Sequence, residues 1–256
     1  MKRHILAWIV LATVAFGLPQ KSFLMQWKAA SGAFSPLDIA NCELWLDVSD
    51  SSTVTLDGSA ITAIADKSSI GDNAVQIGAD STRPTIDSAS QNGLDTASFD
   101  GGDYLGVNYK SVNGQMVFLV AKSTNTGVYI IGSRDSYNQR SFIWDGGLSS
   151  IRVGVGDSLC ISATTAWGSV YHIVGFDYDS SDVHIYVDAA LEDTTAQSGS
   201  GANTVSGYYI GTFNNIGTAF PTMMRGNIAE VIIYKRVLTT SERQQVEAYL
   251  STKWAL

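Results

Sequence analysis

The sequence is poor in charged residues, and those present are mainly acidic. Charged residues make up 16% of the 256 residues, and 24 Asp and Glu against 16 Lys and Arg leave a formal net charge of −8. An acidic surface repels phosphate backbones, and no basic run occurs after residues 2–4, so we expect no nucleic-acid partner. Much of the polar surface must come from Ser, Thr, Asn and Gly.

Cysteine is equally scarce. The only two cysteines of the sequence, Cys42 and Cys160, cannot form the disulfide framework of a small secreted domain. Each lies at the edge of an apolar, strand-like run, so we predict two buried thiols that behave as small hydrophobic side chains. A single disulfide is the alternative if the domain is exported.

Several signatures of catalysis are missing as well. The sequence contains no G-x-S-x-G, H-E-x-x-H or C-x-x-C motif and no glycine loop for phosphate. Its three histidines are His4 near the N-terminus, and His172 and His184 inside two strand-like runs. We predict core or cross-strand roles for the latter two, and no cofactor.

Short apolar runs dominate what is present. Hydrophobic residues reach 45% and glycines number 24, and turn signals recur about every 8–12 residues, which is typical of a β-sandwich or jelly roll. We predict an all-β fold, an antiparallel two-sheet jelly-roll sandwich of roughly a dozen strands. The predicted strands include 42–48, 115–121, 128–131, 141–144, 151–155, 170–176, 183–187, 208–210 and 228–234.

One helix is predicted, and it lies at the C-terminus. Thr239 and Glu242 have the spacing of a capping box, in which each side chain accepts a hydrogen bond from the other's backbone N–H. The apolar residues that follow recur at helical spacing and predict a stripe that packs on the sandwich. The stripe consists of Val246, Tyr249, Leu250 and Trp254.

The N-terminus carries a hydrophobic leader. Basic residues precede an apolar run over 5–17, which is too short to cross a bilayer comfortably and is typical of a secretory signal. We assign 1–17 to this leader, 18–35 to a connector and 36–256 to the sandwich domain. A cleaved signal or membrane anchor is one interpretation. The other is an arm, residues 1–30, that docks into a larger assembly such as a virus particle.

Four segments carry a family resemblance. In order they are 42–50 (CELWLDVSD), 65–74 (ADKSSIGDNA), 98–105 (SFDGGDYL) and 226–234 (GNIAEVIIY). Together with the C-terminal helix they resemble the concanavalin A-like lectin/glucanase superfamily, in the laminin-G-like branch of bacterial surface proteins and phage genomes. The resemblance implies the jelly-roll fold, whereas functions vary widely across such a superfamily.

Carboxylates in a catalytic arrangement are absent from the sequence. Members of this superfamily that cleave glucans carry an E-x-D-x-E or E-x-D-x-x-E strand, whose alternation aligns the carboxylates on one face. Here Glu43 and Asp47 share a face with Trp45 between them, and Glu230 stands alone on its strand. We therefore predict a non-catalytic domain.

Three aspartates raise the question of calcium. Asp177, Asp179 and Asp182 offer closely spaced oxygen ligands. The residues that follow, 184–188, resemble a hairpin of the family that ends in IYVDG, and a polar hairpin turn explains the aspartates without metal. We predict the turn and no metal, with calcium as the alternative.

Two polar loops, 133–140 and 213–221, form the candidate ligand site. Sugars stack on aromatic rings and hydrogen-bond to planar polar groups, and both loops offer such side chains. Trp144 and Trp167 could line the same end, although core positions are favoured for both. The predicted ligand-binding residues are Arg134, Asp135, Tyr137, Asn138, Arg140, Asn214, Asn215 and Phe220.

The leading functional hypothesis is a non-catalytic recognition or adhesion module, extracellular or on the cell surface, that binds a glycan or another surface ligand. The alternative is a structural or attachment protein of a virion, such as a phage decoration, spike or fibre component, anchored by its N-terminal segment. A mature N-terminus near Leu18 indicates export, whereas an intact Met1 in purified particles indicates assembly. No N-x-S/T sequon occurs, which favours a prokaryotic or viral source.

Overall fold

The computed structural model of this chain gives the fold from Ala33 onward. It describes residues 33–136, 138–146, 150–179, 181–196, 198–215, 217–219 and 221–256. Among these, Phe34–Leu256 form a compact unit. The leader, 1–17, and nearly all of the connector, 18–35, lie outside the described residues, so the division of the chain into these segments stays a prediction.

Most regular structure in the described residues is β-strand, as predicted. In chain order the strands are β1 (Cys42–Asp47), β2 (Val54–Asp57), β3 (Ala60–Ile64), β4 (Ala74–Val75), β5 (Thr85–Gln91), β6 (Leu94–Asp100), β7 (Leu105–Val107), β8 (Gln115–Ser123), β9 (Val128–Ser136), β10 (Gln139–Asp145), β11 (Ile151–Val155), β12 (Ser158–Ser162), β13 (His172–Tyr178), β14 (Asp182–Val187), β15 (Ala190–Ala196), β16 (Tyr209–Ile210), β17 (Asn214–Asn215), β18 (Thr218–Ala219) and β19 (Arg225–Tyr234). A helix, α1 (Thr240–Trp254), follows β19. Two short 3-10 helices lie at Pro36–Asp38 and Asp80–Thr82.

One layer of the sandwich is built around β8 and β19. Its order is β5–β6–β19–β8–β13–β14–β15, and β1 pairs with the second half of β19 where β6 ends. These pairs are antiparallel. Residues 116–121 of β8 (MVFLVA) are fully buried, because both faces of this central strand are covered. We call this layer the helix-covered sheet.

The second layer has the order β4–β7–β16–β9–β10–β11–β12, again antiparallel. The short strand β17 runs parallel to β9 beside its C-terminal end. Hydrogen bonds link the two layers through β3, which pairs with β4 and, at one position, with β5. We call the second layer the open sheet.

The main core lies between the two layers. Side chains alternate along each strand, so every second residue points inward. From the helix-covered sheet, Val174 and Phe176 enter this core, and from the open sheet Ile143 and Val153 enter it. The fold is therefore the antiparallel two-layer sandwich that the sequence predicts.

The C-terminal helix covers the outer face of the helix-covered sheet. Thr239 caps α1 and Glu242 bonds back to the cap residue, so the predicted capping box is confirmed. Val246, Leu250 and Trp254 are buried in a second apolar cluster that includes side chains of β8, β13 and β19. The predicted apolar stripe is thus the surface by which the helix packs on the sheet.

A buried carboxylate fastens this helix to the sheet. Glu230 Oε1 accepts hydrogen bonds from Trp45 Nε1 at 2.7 Å and from Tyr249 Oη at 2.9 Å. Its Oε2 accepts from Lys253 Nζ and Trp254 Nε1, both at 2.8 Å. Burial raises the pKa of Glu230, and the Lys253 ammonium opposes that shift. Because Glu230 accepts hydrogen bonds from four side chains, three of them on α1, we assign this carboxylate a structural role.

Cys42 is a free thiol in a partly buried position, in line with the predicted small hydrophobic role. Burial raises its pKa to about 12, and the nearby carboxylates of Asp66 and Glu43 add to the shift. The thiol therefore stays protonated at neutral pH. The side chain of Cys160 lies outside the described part.

Candidate functional site

The outer face of the open sheet carries an unusual set of side chains, beginning on β10. Arg140, Phe142 and Trp144 alternate along this strand and point to the same face, whereas Ile143 between them enters the core. In the described part of the chain, the one α-helix, α1, packs against the other sheet. Within the described residues, no helix covers this face, and Trp144 on it is partly exposed.

The register of β9 against β10 adds two residues to this face. Arg134 lies opposite Arg140, and Tyr129 lies opposite Trp144. Residues directly opposite each other in a sheet share a face, so these side chains join those of β10. A register shift between the positions of Ile143 and Trp144 makes this arrangement possible, because it places an extra residue in β9.

On the other side of β10, β11 contributes a third arginine, Arg152, and a glycine, Gly154. Arg152 lies opposite Trp144, and Gly154 lies opposite Phe142. The Phe142 ring occupies the space where a side chain at position 154 would stand, since a Cβ built there would collide with the ring. The glycine thus allows Phe142 to lie flat across the neighbouring strand.

Four aromatic rings pack together on this face. Tyr129 stacks on Phe213 with centroids 4.7 Å apart and on Trp144 with centroids 5.9 Å apart. Phe142 meets Tyr129 edge-on at 5.1 Å. Phe142 and Phe213 are buried beneath the surface, whereas Tyr129 and Trp144 are partly exposed. The last two are the rings of this cluster that reach the surface, and we call this pair the platform.

Arginine side chains lie over these rings. The Arg152 guanidinium is 5.3 Å from the Trp144 ring centroid, and that of Arg134 is 5.7 Å from the Phe213 centroid. Both distances are within the range of cation–π attraction. We call the whole surface the arginine–aromatic face; it comprises Tyr129, Arg134, Arg140, Phe142, Trp144, Arg152, Phe213 and Asn215.

Arg140 differs from the other two arginines because it is buried. Its side chain is 5% exposed, its Nε donates to the Gly156 carbonyl at 2.7 Å, and its guanidinium lies 5.6 Å from the Phe142 centroid. These contacts fix the turn after β11 against β10. We assign Arg140 a supporting role under the face.

The other two arginines, Arg134 and Arg152, donate hydrogen bonds to neutral side chains. Arg134 Nε donates to Asn215 Oδ1 at 2.7 Å, and Arg152 Nε donates to Ser150 Oγ at 3.1 Å. Neither forms an ion pair with any carboxylate of the described residues. Both side chains are partly exposed.

The prediction of two loops at 133–140 and 213–221 is wrong in part, because residues 133–136 and 139–140 belong to β9 and β10 and residues 214–215 and 218–219 to β17 and β18. The structure brings the two segments together at one point. Because β17 runs beside β9, Asn215 lies next to Arg134 and bonds to it. Asn214 faces the other way: its Nδ2 donates to the Gly207 carbonyl at 2.6 Å and its Oδ1 accepts from the Gly217 N–H at 2.7 Å. Asn214 thus shapes the loop, and Asn215 supports the arginine.

Asp135 organises a neighbouring loop. Its carboxylate accepts hydrogen bonds from the backbone N–H groups of Val205 at 2.9 Å and Ser206 at 2.7 Å. Burial acts to raise the pKa of Asp135, but these N–H groups outweigh it and hold the pKa below its usual value. Asn138 is exposed and accepts a bond from the Ser200 N–H through its backbone carbonyl.

Two of the eight predicted ligand residues, Tyr137 and Phe220, lie outside the described residues. Four residues of the face were not predicted from the sequence: Tyr129, Phe142, Arg152 and Phe213. The strand register places Tyr129, Phe142 and Arg152 beside Arg134 and Trp144, and Phe213 stacks on Tyr129. No local sequence motif encodes these contacts.

The two remaining tryptophans of interest take different positions. Trp167 is 3% exposed and belongs to the main core, as favoured from the sequence, whereas Trp144 is on the outer face. Trp167 also borders a cleft of about 200 Å³ that includes Asn125, Asp145 and Ser169 in its lining. Pockets for small molecules usually hold about 300–1,000 Å³, so the open face is the better candidate.

One pair of carboxylates, Asp47 and Glu230, is buried beneath α1. Asp47 and Glu230 share the ammonium of Lys253, at 2.7 and 2.8 Å. Burial acts to raise the pKa of Asp47, but Lys253 and Lys67 outweigh it and lower that pKa. Both carboxylates lie beneath α1, with 5% or less of each side chain exposed.

The aspartates considered for calcium lie at the β13–β14 hairpin. Asp177 Oδ1 is 2.7 Å from His184 Nδ1 across the pair of strands. Asp179 Oδ1 accepts from the N–H groups of Ser181 at 2.6 Å and Asp182 at 2.9 Å, as the predicted polar turn requires. In the described residues, no group of three His, Cys, Asp or Glu side chains is arranged to hold a metal.

Comparison with known proteins identifies the family. The model of the concanavalin A-like lectin/glucanases superfamily matches residues 104–242, just over half of the chain, and the chain belongs to this family. No curated protein matches the sequence. Within the described part, no helix is long and apolar enough to cross a membrane.

Solved structures share the fold at low sequence identity. Domain 4 of AbnA, a GH43 extracellular arabinanase from Geobacillus stearothermophilus, in complex with arabinotriose, gives a TM-score of 0.52 at 16% identity and covers 79% of this chain and 96% of its own. A GH54 α-L-arabinofuranosidase gives 0.64 at 10%, covering 86% and 66%. The binding domain of Paraclostridial Mosquitocidal Protein 1 gives 0.57 at 14%, covering 84% and 53%. At these identities the likeness concerns the fold alone.

Proposed function

We propose that this domain is a non-catalytic recognition module, extracellular or on a cell surface, that binds a saccharide on the arginine–aromatic face. The observation that carries the proposal is the pair of partly exposed, stacked rings of Tyr129 and Trp144 on a sheet face that α1 leaves open. The apolar C–H faces of a sugar pack on such rings, and the neighbouring polar groups orient it.

The neighbouring polar groups come from different strands, which suits recognition of a ring with substituents on several sides. Arg134 and Asn215 lie at one end of the platform, and Arg152 lies at the other, beside Trp144. The saccharide-bound domain of the arabinanase has a similar fold, which is consistent with this use of the sandwich. The virion role depends on residues 1–30, outside the described residues, and no contact in the described part favours it.

Loss of the platform is expected to remove binding. Trp144→Ala should lower the affinity for a saccharide that the domain binds on a glycan array by about tenfold or more, because one stacking surface disappears. The measurement is titration calorimetry with the purified domain, after circular dichroism has shown that the variant is folded.

A matched aromatic truncation on the opposite sheet provides the control. Tyr186 is also half-buried, and the Arg243 guanidinium lies 4.1 Å from its ring centroid. Unlike Trp144, it belongs to β14 of the helix-covered sheet. Tyr186→Ala should leave the affinity unchanged. Equal losses in both variants, or binding that survives Trp144→Ala, would remove the face as the site.

Glycoside hydrolysis is not expected. Retaining enzymes place two carboxyl groups about 5 Å apart on either side of the scissile bond. The buried carboxylates Asp47 and Glu230 are both committed to Lys253, and Glu230 also to the indoles under α1. The domain should release no reducing sugar from β-glucans. Turnover that is abolished by Glu43→Gln or Glu230→Gln would contradict the non-catalytic assignment.

A further inference from the structure

Two arginines of the arginine–aromatic face, Arg134 and Arg152, form no ion pair with a carboxylate of the described residues. Elsewhere in the described residues, lysine and arginine side chains commonly sit against carboxylates, as expected for an acidic chain with a net charge of −8. Those in ion pairs with Asp or Glu are Lys67, Arg83, Lys235, Arg236, Arg243 and Lys253. Arg134 and Arg152 have no such partner, although they lie on the same face.

The hydrogen bonds of Arg134 and Arg152 involve only one side of each guanidinium, the Nε group. In each of them the Nε group is occupied, by Asn215 in one case and by Ser150 in the other. The terminal Nη groups of both side chains have no hydrogen-bond acceptor among the described residues. These groups form the planar fork that binds a carboxylate or a sulfate through parallel N–H···O bonds.

The position of the fork relative to the platform fits a charged sugar. The Arg152 guanidinium is 5.3 Å from the centre of the Trp144 ring, and Trp144 stacks on Tyr129. A sugar ring packed on this platform would bring a substituent one or two bonds from the ring to the arginine. The cation–π contact holds the guanidinium in place before the ligand arrives, which reduces the entropy lost on binding.

We propose that the ligand is an anionic saccharide with more than one acidic group. One carboxylate or sulfate binds the free edge of Arg152 while a sugar ring contacts Trp144, and another binds the free edge of Arg134 at the opposite end of the platform. The inference rests on the proposed function and specifies the chemical class of its ligand. A nucleic acid also offers rings and negative charge, but the acidic remainder of the chain repels an extended phosphate backbone.

The test is a glycan array containing neutral, carboxylated and sulfated saccharides, with oligo(dT) as the nucleic-acid probe. Arg152→Gln and Arg134→Gln should each lower the affinity for the strongest acidic saccharide by about tenfold or more. The affinity of the unmodified domain should fall as NaCl rises from about 50 to 500 mM, because salt screens the contact. Comparison of the carboxylated with the sulfated saccharides on the array shows which acidic group is preferred.

Arg225→Gln is the matched control, since Arg225 is exposed, forms no ion pair among the described residues and lies on the helix-covered sheet. It should leave the affinity unchanged. Binding confined to neutral saccharides and unaffected by either arginine substitution would overturn the anionic ligand and leave the proposed function standing. Binding of no saccharide would overturn both, and tighter binding of oligo(dT) than of any saccharide would replace the saccharide by a nucleic acid.

Discussion

Replacing Glu230 with alanine is expected to lower the free energy of unfolding by about 3–5 kcal/mol, the cost of removing one partner of a buried charge pair. Glu230 is 1% exposed and accepts hydrogen bonds from the indoles of Trp45 and Trp254. The substitution leaves both indole N–H groups buried without an acceptor. It also leaves Lys253 with Asp47 as its remaining carboxylate.

Glu230→Gln separates charge from shape. The amide retains one acceptor oxygen, but its NH₂ group faces donors, so we expect a loss smaller than that of alanine but still above about 1 kcal/mol. Asp57→Ala is the matched control, because Asp57 forms its ion pair with Arg83 at the surface, with 73% of its side chain exposed. That substitution should cost less than about 1 kcal/mol.

Urea unfolding followed by circular dichroism and by tryptophan fluorescence measures these differences. The loss should accompany release of α1, since Tyr249, Lys253 and Trp254 all bind Glu230. If Glu230→Ala cost no more than Asp57→Ala, the assignment of this carboxylate as the buried anchor of the helix would be wrong.

Gly226→Ala is expected to destabilise the fold by about 2–4 kcal/mol, through backbone strain and overpacking. Gly226 has a φ of +140° and pairs with Ser123 of β8 on one side and Phe99 of β6 on the other. A Cβ at this position would collide with the carbonyl oxygen of Lys122. Relief of that collision requires the central pair of strands, β8 and β19, to separate.

Gly102→Ala is the control for loss of a glycine. A Cβ at Gly102 would meet the nearest atom, Asp100 Oδ1, at 3.4 Å, an ordinary contact, and the residue lies in a turn. Its free energy of unfolding should stay within about 0.5 kcal/mol of the parent. A loss in Gly102→Ala as large as in Gly226→Ala would show that the close approach of β8 and β19 does not limit residue size at 226.

The parts of the fold that sequence predicts well are those with a strong local pattern. β8 was predicted because its continuous apolar run requires burial on both faces, and α1 because Thr239 and Glu242 mark its start. The strand predicted at 170–176 is observed at His172–Tyr178, a shift of two residues that a uniformly apolar run does not resolve.

The region between β1 and β8 is where prediction from sequence failed. Val54–Asp57 is only 4 residues long and its Leu56 is exposed, and Thr85–Gln91 carries a single large apolar residue, Ile86, so neither has an apolar pattern long enough to mark a strand. They are strands because they pair with β3 and β6, which is a tertiary effect.

The site was predictable in part for the same reason. Polar loop composition pointed to Arg134 and Asn215, which the structure places in contact. Tyr129 and Arg152 could not be assigned, because their side of the sheet depends on the register of three strands and on the extra residue in β9. Asp135 was predicted from the same composition, but its carboxylate accepts hydrogen bonds from the backbone of a neighbouring loop instead.

The most direct measurement is the ¹⁵N–¹H spectrum of the indole groups during titration with the strongest acidic saccharide from the array. Binding on the arginine–aromatic face should shift the Trp144 indole peak, identified by its loss in Trp144→Phe, because the ligand ring packs on that side chain. The peaks of Trp45 and Trp254, whose N–H groups bind Glu230 beneath the helix, should stay in place. Saturable binding that leaves the Trp144 peak unmoved would contradict recognition at this face.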